Sequence, residues 1–278
     1  MANVPSKPTA PVKKESSSSS SIFASLAIPI CLVVSCLIFF LVLADPSHYK
    51  GGDVTGGEPS DIFGIVHRGG YLVPLVMGYV LMVIVFSIER FIVIGKATGT
   101  SSIDTFVRKI QTHLSAGNID AASSECDKQK GSVANVIKAG LKRYRELEHE
   151  PGLTVDQKSL AIQKDIEEAT ALEMPMLEQN LTIIATLVSV GTLTGLLGTV
   201  IGMIEAFHTL AGNGGGTNTG ALSAAISEAL VNTAFGISTS AISIVMYNVF
   251  TSKIDNLTYA IDETGFSIVQ TFAASHKN

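Results

Sequence analysis

The sequence predicts an all-α fold, a polytopic helical membrane protein whose long helices extend into the cytoplasm, and three observations carry that reading. The 278 residues are 46% hydrophobic and only 15% charged, with a mean hydropathy of +0.39, too apolar for a soluble domain of this length. The apolar residues gather into four runs, 22–44, 71–95, 181–210 and 221–250, each longer than the ~20 residues a helix needs to cross a ~30 Å hydrocarbon core. Between the second and third runs the apolar residues recur at the spacing of amphipathic helices.

Residues 1–21 combine Pro5, Pro8 and Pro11 with Lys7, Lys13, Lys14 and the run Ser16 to Ser21. That composition cannot bury a core and predicts a disordered tail. Residues 22–44 are uncharged and form an extra N-terminal transmembrane helix, with Lys13 and Lys14 holding the N-terminus in the cytoplasm. A signal peptide is the rival reading, since Val42 and Ala44 suit a signal peptidase, but the apolar stretch exceeds the usual 7–15 residues. Residues 45–70, rich in Gly and Asp and poor in positive charge, suit an external loop.

The second span, 71–95, stays apolar until Glu89, Arg90 and Lys96, so it ends on the cytoplasmic side, with Glu89 and Arg90 read as interfacial anchors. Residues 96–180 hold 11 of the chain's 19 Lys and Arg, and 13 acidic residues; the positive-inside bias makes this helical region cytoplasmic. Ile103, Phe106, Val107, Ile110 and Leu114 mark one amphipathic helix, and Val133, Val136, Ile137, Leu141 and Tyr144 a second. Thr154 and Gln157 form a capping box that opens a third, with Ile162, Ile166, Ala169, Leu172 and Met176 on one face. That helix is expected to run on to about residue 210 as a single rod of roughly 80 Å, kinked and not ended by Pro175.

Residues 181–250 form a transmembrane hairpin, its two runs joined by the uncharged loop Ala211 to Thr219. The Gly212 to Gly216 stretch lacks the Lys-Ser/Thr of a phosphate loop and reads as a flexible turn. In the third span Gly191, Gly195, Gly198 and Gly202 share one narrow face that another helix can approach closely. Thr192 and Thr199 line a strip beside it. In the fourth span Ala225, Glu228, Asn232, Gly236, Thr239 and Ser243 make a small and polar stripe, with Thr233 and Ser240 at its margin. Glu228 lies about two turns into that span, where an ionised carboxylate costs roughly 2.5–3.5 kcal/mol. A carboxylate beside Asn232, Thr233 and Thr239 and facing a threonine strip suits the lining of an ion or proton path. Glu205 and His208 read as interfacial. Residues 251–278 make a short amphipathic cytoplasmic tail.

Several classes are excluded or unsupported. Cys31, Cys36 and Cys126 suit neither a disulfide framework nor a metal site, and no cofactor is expected. No basic stripe with interleaved aromatics points to nucleic acid. No GxSxG, HExxH, CxxC or paired-carboxylate pattern supports an enzyme.

The stretch Gly195-Leu196-Leu197-Gly198-Thr199-Val200-Ile201-Gly202-Met203 resembles the third-span motif of the MotA/TolQ/ExbB proton-channel family. Glu228-Ala229-Leu230, Thr233-Ala234-Phe235-Gly236 and Tyr247-Asn248 resemble its last-span motif. The likeness covers roughly residues 71–261, leaves the first span outside, and lies nearer the ExbB and TolQ branch than the flagellar stators. It departs at Gly191-Thr192 and Ile242, where the family commonly has proline, and at Asn232. The resemblance implies that the 181–250 hairpin lines a pore, with a proton path through Thr199, Glu228 and Thr233 and with Thr192, Gly195, Gly198, Gly202, Asn232, Gly236 and Thr239 lining or packing it. It further implies a homopentamer in the lipid of the bacterial inner membrane, both termini cytoplasmic, holding a single-span ExbD- or TolR-like partner dimer in its pore. The output would be mechanical work passed to a TonB-like protein. The alternatives are a structural membrane scaffold and a flagellar-stator or gliding-type motor subunit.

Overall fold

The computed structural model describes residues 17–54, 57–212 and 219–276; most of the expected tail and all of the Gly212 to Gly216 turn but Gly212 lie outside that description. The described residues are helical nearly throughout, and their one extended pairing is an isolated bridge between Tyr49 and Pro59. Four helices are long and apolar enough to cross a membrane, and the protein is an all-α polytopic membrane protein.

α1 (Ser17–Leu37) runs into a π-helical turn, Ile38–Leu43, and starts inside the serine run read as tail. Two short 3-10 turns (Pro46–His48 and Lys50–Gly52) and α2 (Ile62–His67) fold residues 45–70 into a small cap. Asp61 ends the approach to α2 by accepting the Gly64 amide at 3.0 Å, and that backbone bond holds its carboxyl below the usual carboxylate range. α3 (Val73–Thr98) starts on Pro74, whose missing N–H costs nothing in a first turn. α1 lies along α3: Ala27 and Cys31 are buried there, Leu32 sits over Gly78, and the Ser35 hydroxyl donates to Pro74 O.

α4 (Ile103–Ser115), α5 (Ile119–Gln129), α6 (Gly131–Glu148) and α7 (Val155–Glu178) make a helical bundle. Its core holds Phe106, Ile110, Leu114, Val136, Ile137, Leu141 and Ile162, the faces the periodicity marks. The capping box forms in both directions, Thr154 N to Gln157 Oε1 at 3.0 Å and Gln157 N to Thr154 Oγ1 at 3.3 Å. Leu172 departs from its expected face and is 67% exposed.

The single 156–210 rod is not what forms. α7 stops at Glu178, the chain turns at Gln179 (ψ 142°) and Asn180 (φ 63°), and α8 (Leu181–Gly212) starts afresh. Pro175 stays inside the helix, and the break falls five residues later on an asparagine that tolerates the left-handed region. The carbonyls freed there need donors. Arg90 supplies them, its guanidinium reaching Leu177 O at 3.1 Å and Met176 O at 3.3 Å while pairing with Glu89. Arg90 is 1% exposed, so it is a buried staple and not the interfacial anchor expected of it.

Continuity belongs to the last helix instead. α9 (Thr219–Ser275) is 57 residues without interruption, about 85 Å at 1.5 Å per residue. The segment read as a short tail is its lower half, with Ile254, Leu257 and Ile261 buried against the bundle.

Candidate functional site

α8 and α9 form the antiparallel hairpin, and glycines set its spacing. A Cβ on Gly195 would stand 3.0 Å from the Gly236 Cα, one on Gly198 2.5 Å from the Asn232 Cβ, and one on Gly202 2.7 Å from the Ala229 Cβ. The two backbones approach this closely because neither carries bulk along the shared strip. The small and polar stripe of α9 therefore turns inward: Ala225, Asn232, Gly236, Thr239 and Ser243 are all buried against α8.

Hydroxyls bridge the same seam. Thr233 Oγ1 lies 2.9 Å from Gly195 O and 3.1 Å from Ala229 O. Thr192 Oγ1 meets Ser240 Oγ at 2.7 Å, and Ser240 Oγ lies 2.7 Å from Val188 O. Thr239 donates back to Phe235 O at 2.9 Å, and Thr199 to Leu196 O at 2.6 Å. Thr192 is exposed, and Thr199 and Thr233 are half-buried, on the flanks of the hairpin. Around Thr199 the apolar side chains of Leu193, Leu196 and Val200 stand more than half exposed, a face that one chain does not cover.

Glu228 is half-buried near the start of α9, and its neighbour comes from a part of the chain the motifs do not include. Its carboxylate lies against Gly70, in the turn between α2 and α3: a Cβ on Gly70 would fall 1.8 Å from Glu228 Oε1. One turn along α9, Asn232 is 1% exposed, and its Nδ2 donates to Gly69 O at 2.8 Å and to Glu228 O at 3.1 Å. Those two carbonyls fix the amide's orientation, because the flipped amide would set oxygen against oxygen. Asn232 Oδ1 is buried with no hydrogen-bond donor among the described residues.

The structure thus joins the glycine face to Asn232, Thr233, Gly236 and Thr239, and sets Glu228 beside Gly69 and Gly70. Sequence reasoning missed those two glycines and gave Arg90 the role of an interfacial anchor. The available signal was the Gly69-Gly70 pair immediately before an apolar run, which marks a tight turn at a helix entrance. No group of three or more His, Cys, Asp or Glu side chains able to hold a metal occurs among the described residues.

Residues 128–263 match the model of the MotA/TolQ/ExbB proton channel family, a range that includes Thr199, Glu228 and Thr233. The chain is similar to the Tol-Pal system protein TolQ of Pseudomonas aeruginosa, 26% identical over 206 residues that cover 72% of this chain and 87% of that one. It is similar also to the biopolymer transport protein ExbB-like 3 of Synechocystis sp., 35% identical over 88 residues, 31% of this chain and 42% of the relative. A third relative, ExbB-like 1 of the same organism, is 36% identical over 88 residues, 31% of this chain and 35% of its own length.

Proposed function

Because the chain belongs to the MotA/TolQ/ExbB proton channel family, we propose that it is the channel subunit of a Tol- or TonB-type motor, turning proton motive force into mechanical work for the outer membrane. The observation that carries this reading is Glu228, a carboxylate held within the spanning part of α9, about one and a half turns from the hydroxyl bridge that Thr233 makes across the hairpin seam. The chain works as a homopentamer in the inner membrane. The apolar face around Thr199, open in one protomer, is available to a neighbouring subunit. A single-span ExbD- or TolR-like dimer bearing a membrane Asp occupies the central pore, and a TonB-like protein receives the work. A charge crossing ~100 mV releases ~2.3 kcal/mol, enough to bias stepwise movement of one component inside the other.

Glu228 supplies the titratable group; Thr199 and Thr233 can only donate and accept hydrogen bonds. Glu228→Gln, Thr199→Val and Thr233→Val each keep side-chain volume. Each is expected to lower proton flux through the reconstituted complex by on the order of a hundredfold, the scale on which a positioned proton-transfer group acts, with oligomer mass unchanged. The two threonine changes together should be no worse than either alone, because residues serving one step do not add. A structural scaffold is the second reading, favoured by the engagement of the Thr233 and Thr192 hydroxyls inside the protomer. It predicts loss of assembly in Glu228→Gln and normal flux in the threonine variants.

The proposed orientation puts both termini and residues 96–180 in the cytoplasm. Ser124 is exposed on the bundle and Ser60 on the cap. In intact spheroplasts an impermeant thiol reagent should label Ser60→Cys and spare Ser124→Cys; the reverse pattern would invert the topology. The native Cys126 adds no background, since burial pushes its thiol up to about 12.

A further inference from the structure

The extra first helix and the cap behind it lie outside the residues that match the family, yet they converge on Glu228. Phe39 and Leu43, from the π-helical turn after α1, join Val66 of α2, Val73 and Met77 of α3 and Val231 of α9 in one apolar knot. His67 closes that knot from the cap side: its ring lies 4.8 Å from Phe39, and its Nδ1 is 2.6 Å from the hydroxyl of Tyr49, itself 3% exposed. The Arg68 guanidinium then donates to Gly57 O, and the Gly69 and Val73 amides close the turn on Val66 O and Gly70 O at 3.0 and 3.2 Å. From the other side, Asn232 of α9 holds Gly69 O.

The turn is therefore fixed at both ends, and its middle residue is Gly70, at φ +76°. With no side chain there, the backbone itself forms the surface against which the Glu228 carboxylate rests. Any Cβ would occupy that place, 1.8 Å from Oε1 and 2.6 Å from Cδ. We infer that Gly70 is a positioning residue for Glu228, and that α1 and the cap form the bracket that keeps Gly70 against the carboxylate. This rests on the proposed role of Glu228 in carrying protons. A displacement of about 1 Å in a reacting group can cost on the order of a hundredfold, so a bracket of this kind bears directly on conduction.

The test compares Gly70→Ala with Gly51→Ala, which lies in the same segment at φ +79° with open space around it and so carries the same backbone strain without touching Glu228. The reconstituted full complex is measured for proton flux against pH, and Glu228 for its rate of modification by dicyclohexylcarbodiimide, read by peptide mass. Gly51→Ala should match the wild type in both. Gly70→Ala should lose flux by roughly tenfold or more and shift the modification rate, with oligomer mass retained. Adding Glu228→Asp, one methylene shorter, should restore part of the flux of Gly70→Ala although it lowers flux in the wild-type background. Should Gly70→Ala fail to assemble, Asn232→Ala frees the turn without a clash and should move the pH midpoint and the modification rate. Wild-type behaviour of Gly70→Ala, a double variant no better than Gly70→Ala, or an unmoved midpoint and rate in Asn232→Ala would each overturn the assignment. Failure of the proton reading itself shows elsewhere, as normal flux in Glu228→Gln, and leaves the modification rate to report on position alone.

Discussion

Arg90→Met is expected to destabilise the protein by about 3–5 kcal/mol, the scale for removing one partner of a buried charge pair, measured as the unfolding free energy in a denaturing-detergent titration. The guanidinium is almost wholly enclosed and serves two debts at once, pairing with Glu89 and saturating Met176 O and Leu177 O where α7 breaks. Removing it strands a carboxylate whose side chain is 16% exposed and two helix-end carbonyls. Glu89→Leu together with Arg90→Met removes the stranded charge and leaves only the carbonyls, which cost about 1–3 kcal/mol when unpaired. The double variant should therefore be more stable than Arg90→Met alone. If the double is as unstable as the sum of two single losses, the ion pair is not the source of the effect and the joint is held by packing.

The second large effect belongs to the seam between α8 and α9. Gly198→Leu would drive a side chain into Asn232, whose Cβ already lies where a Cβ on residue 198 would stand 2.5 Å away. Overpacking commonly costs about 1–3 kcal/mol and more where backbones cannot part; here the displaced partner also carries the link to Gly69. Loss of the native oligomer in mild detergent, together with a weakened hairpin, is the expected outcome. Gly191→Ala offers a graded comparison, because its Cβ would meet Thr239 and Ser240 side-chain atoms at 3.0 Å. It should be milder than Gly198→Ala. Equal effects at the two positions would mean that seam distance does not govern stability. The structure locates this jam within one chain, whereas the glycine face alone left open whether the neighbouring helix belongs to the same subunit.

The four spans, the capping box and the buried faces of α4 and α6 were legible because each is written locally, in run length or in the 3.6-residue period. The helix break was not. Pro175 carries the louder signal, but a proline removes one internal bond and a helix can absorb that, while Asn180 ends the helix only because Arg90, eighty-seven positions before Leu177, is there to receive the freed carbonyl. The length of α9 was legible in principle: residues 219–275 contain no proline, and the charges from Lys253 onward change the helix's surroundings without interrupting it. Glu228 stood out in the sequence as a carboxylate in an apolar run. Its contact with Gly70 did not, because no periodicity links a turn before the second span to the first turns of the fourth.

The unbroken α9 has a mechanical consequence. Uninterrupted over about 85 Å, α9 joins the turns that bear Glu228 to the helical bundle. Its lower half is gripped laterally by α4, where Gln111 holds Glu263 at 2.9 Å, and by α6, where Tyr144 meets Ser275 at 3.0 Å. α8, cut free of α7 at Asn180, has no such rigid extension. Strain arising around residue 228 thus has a continuous helical route to the bundle, passing α3 where the rings of Phe91 and Phe250 meet.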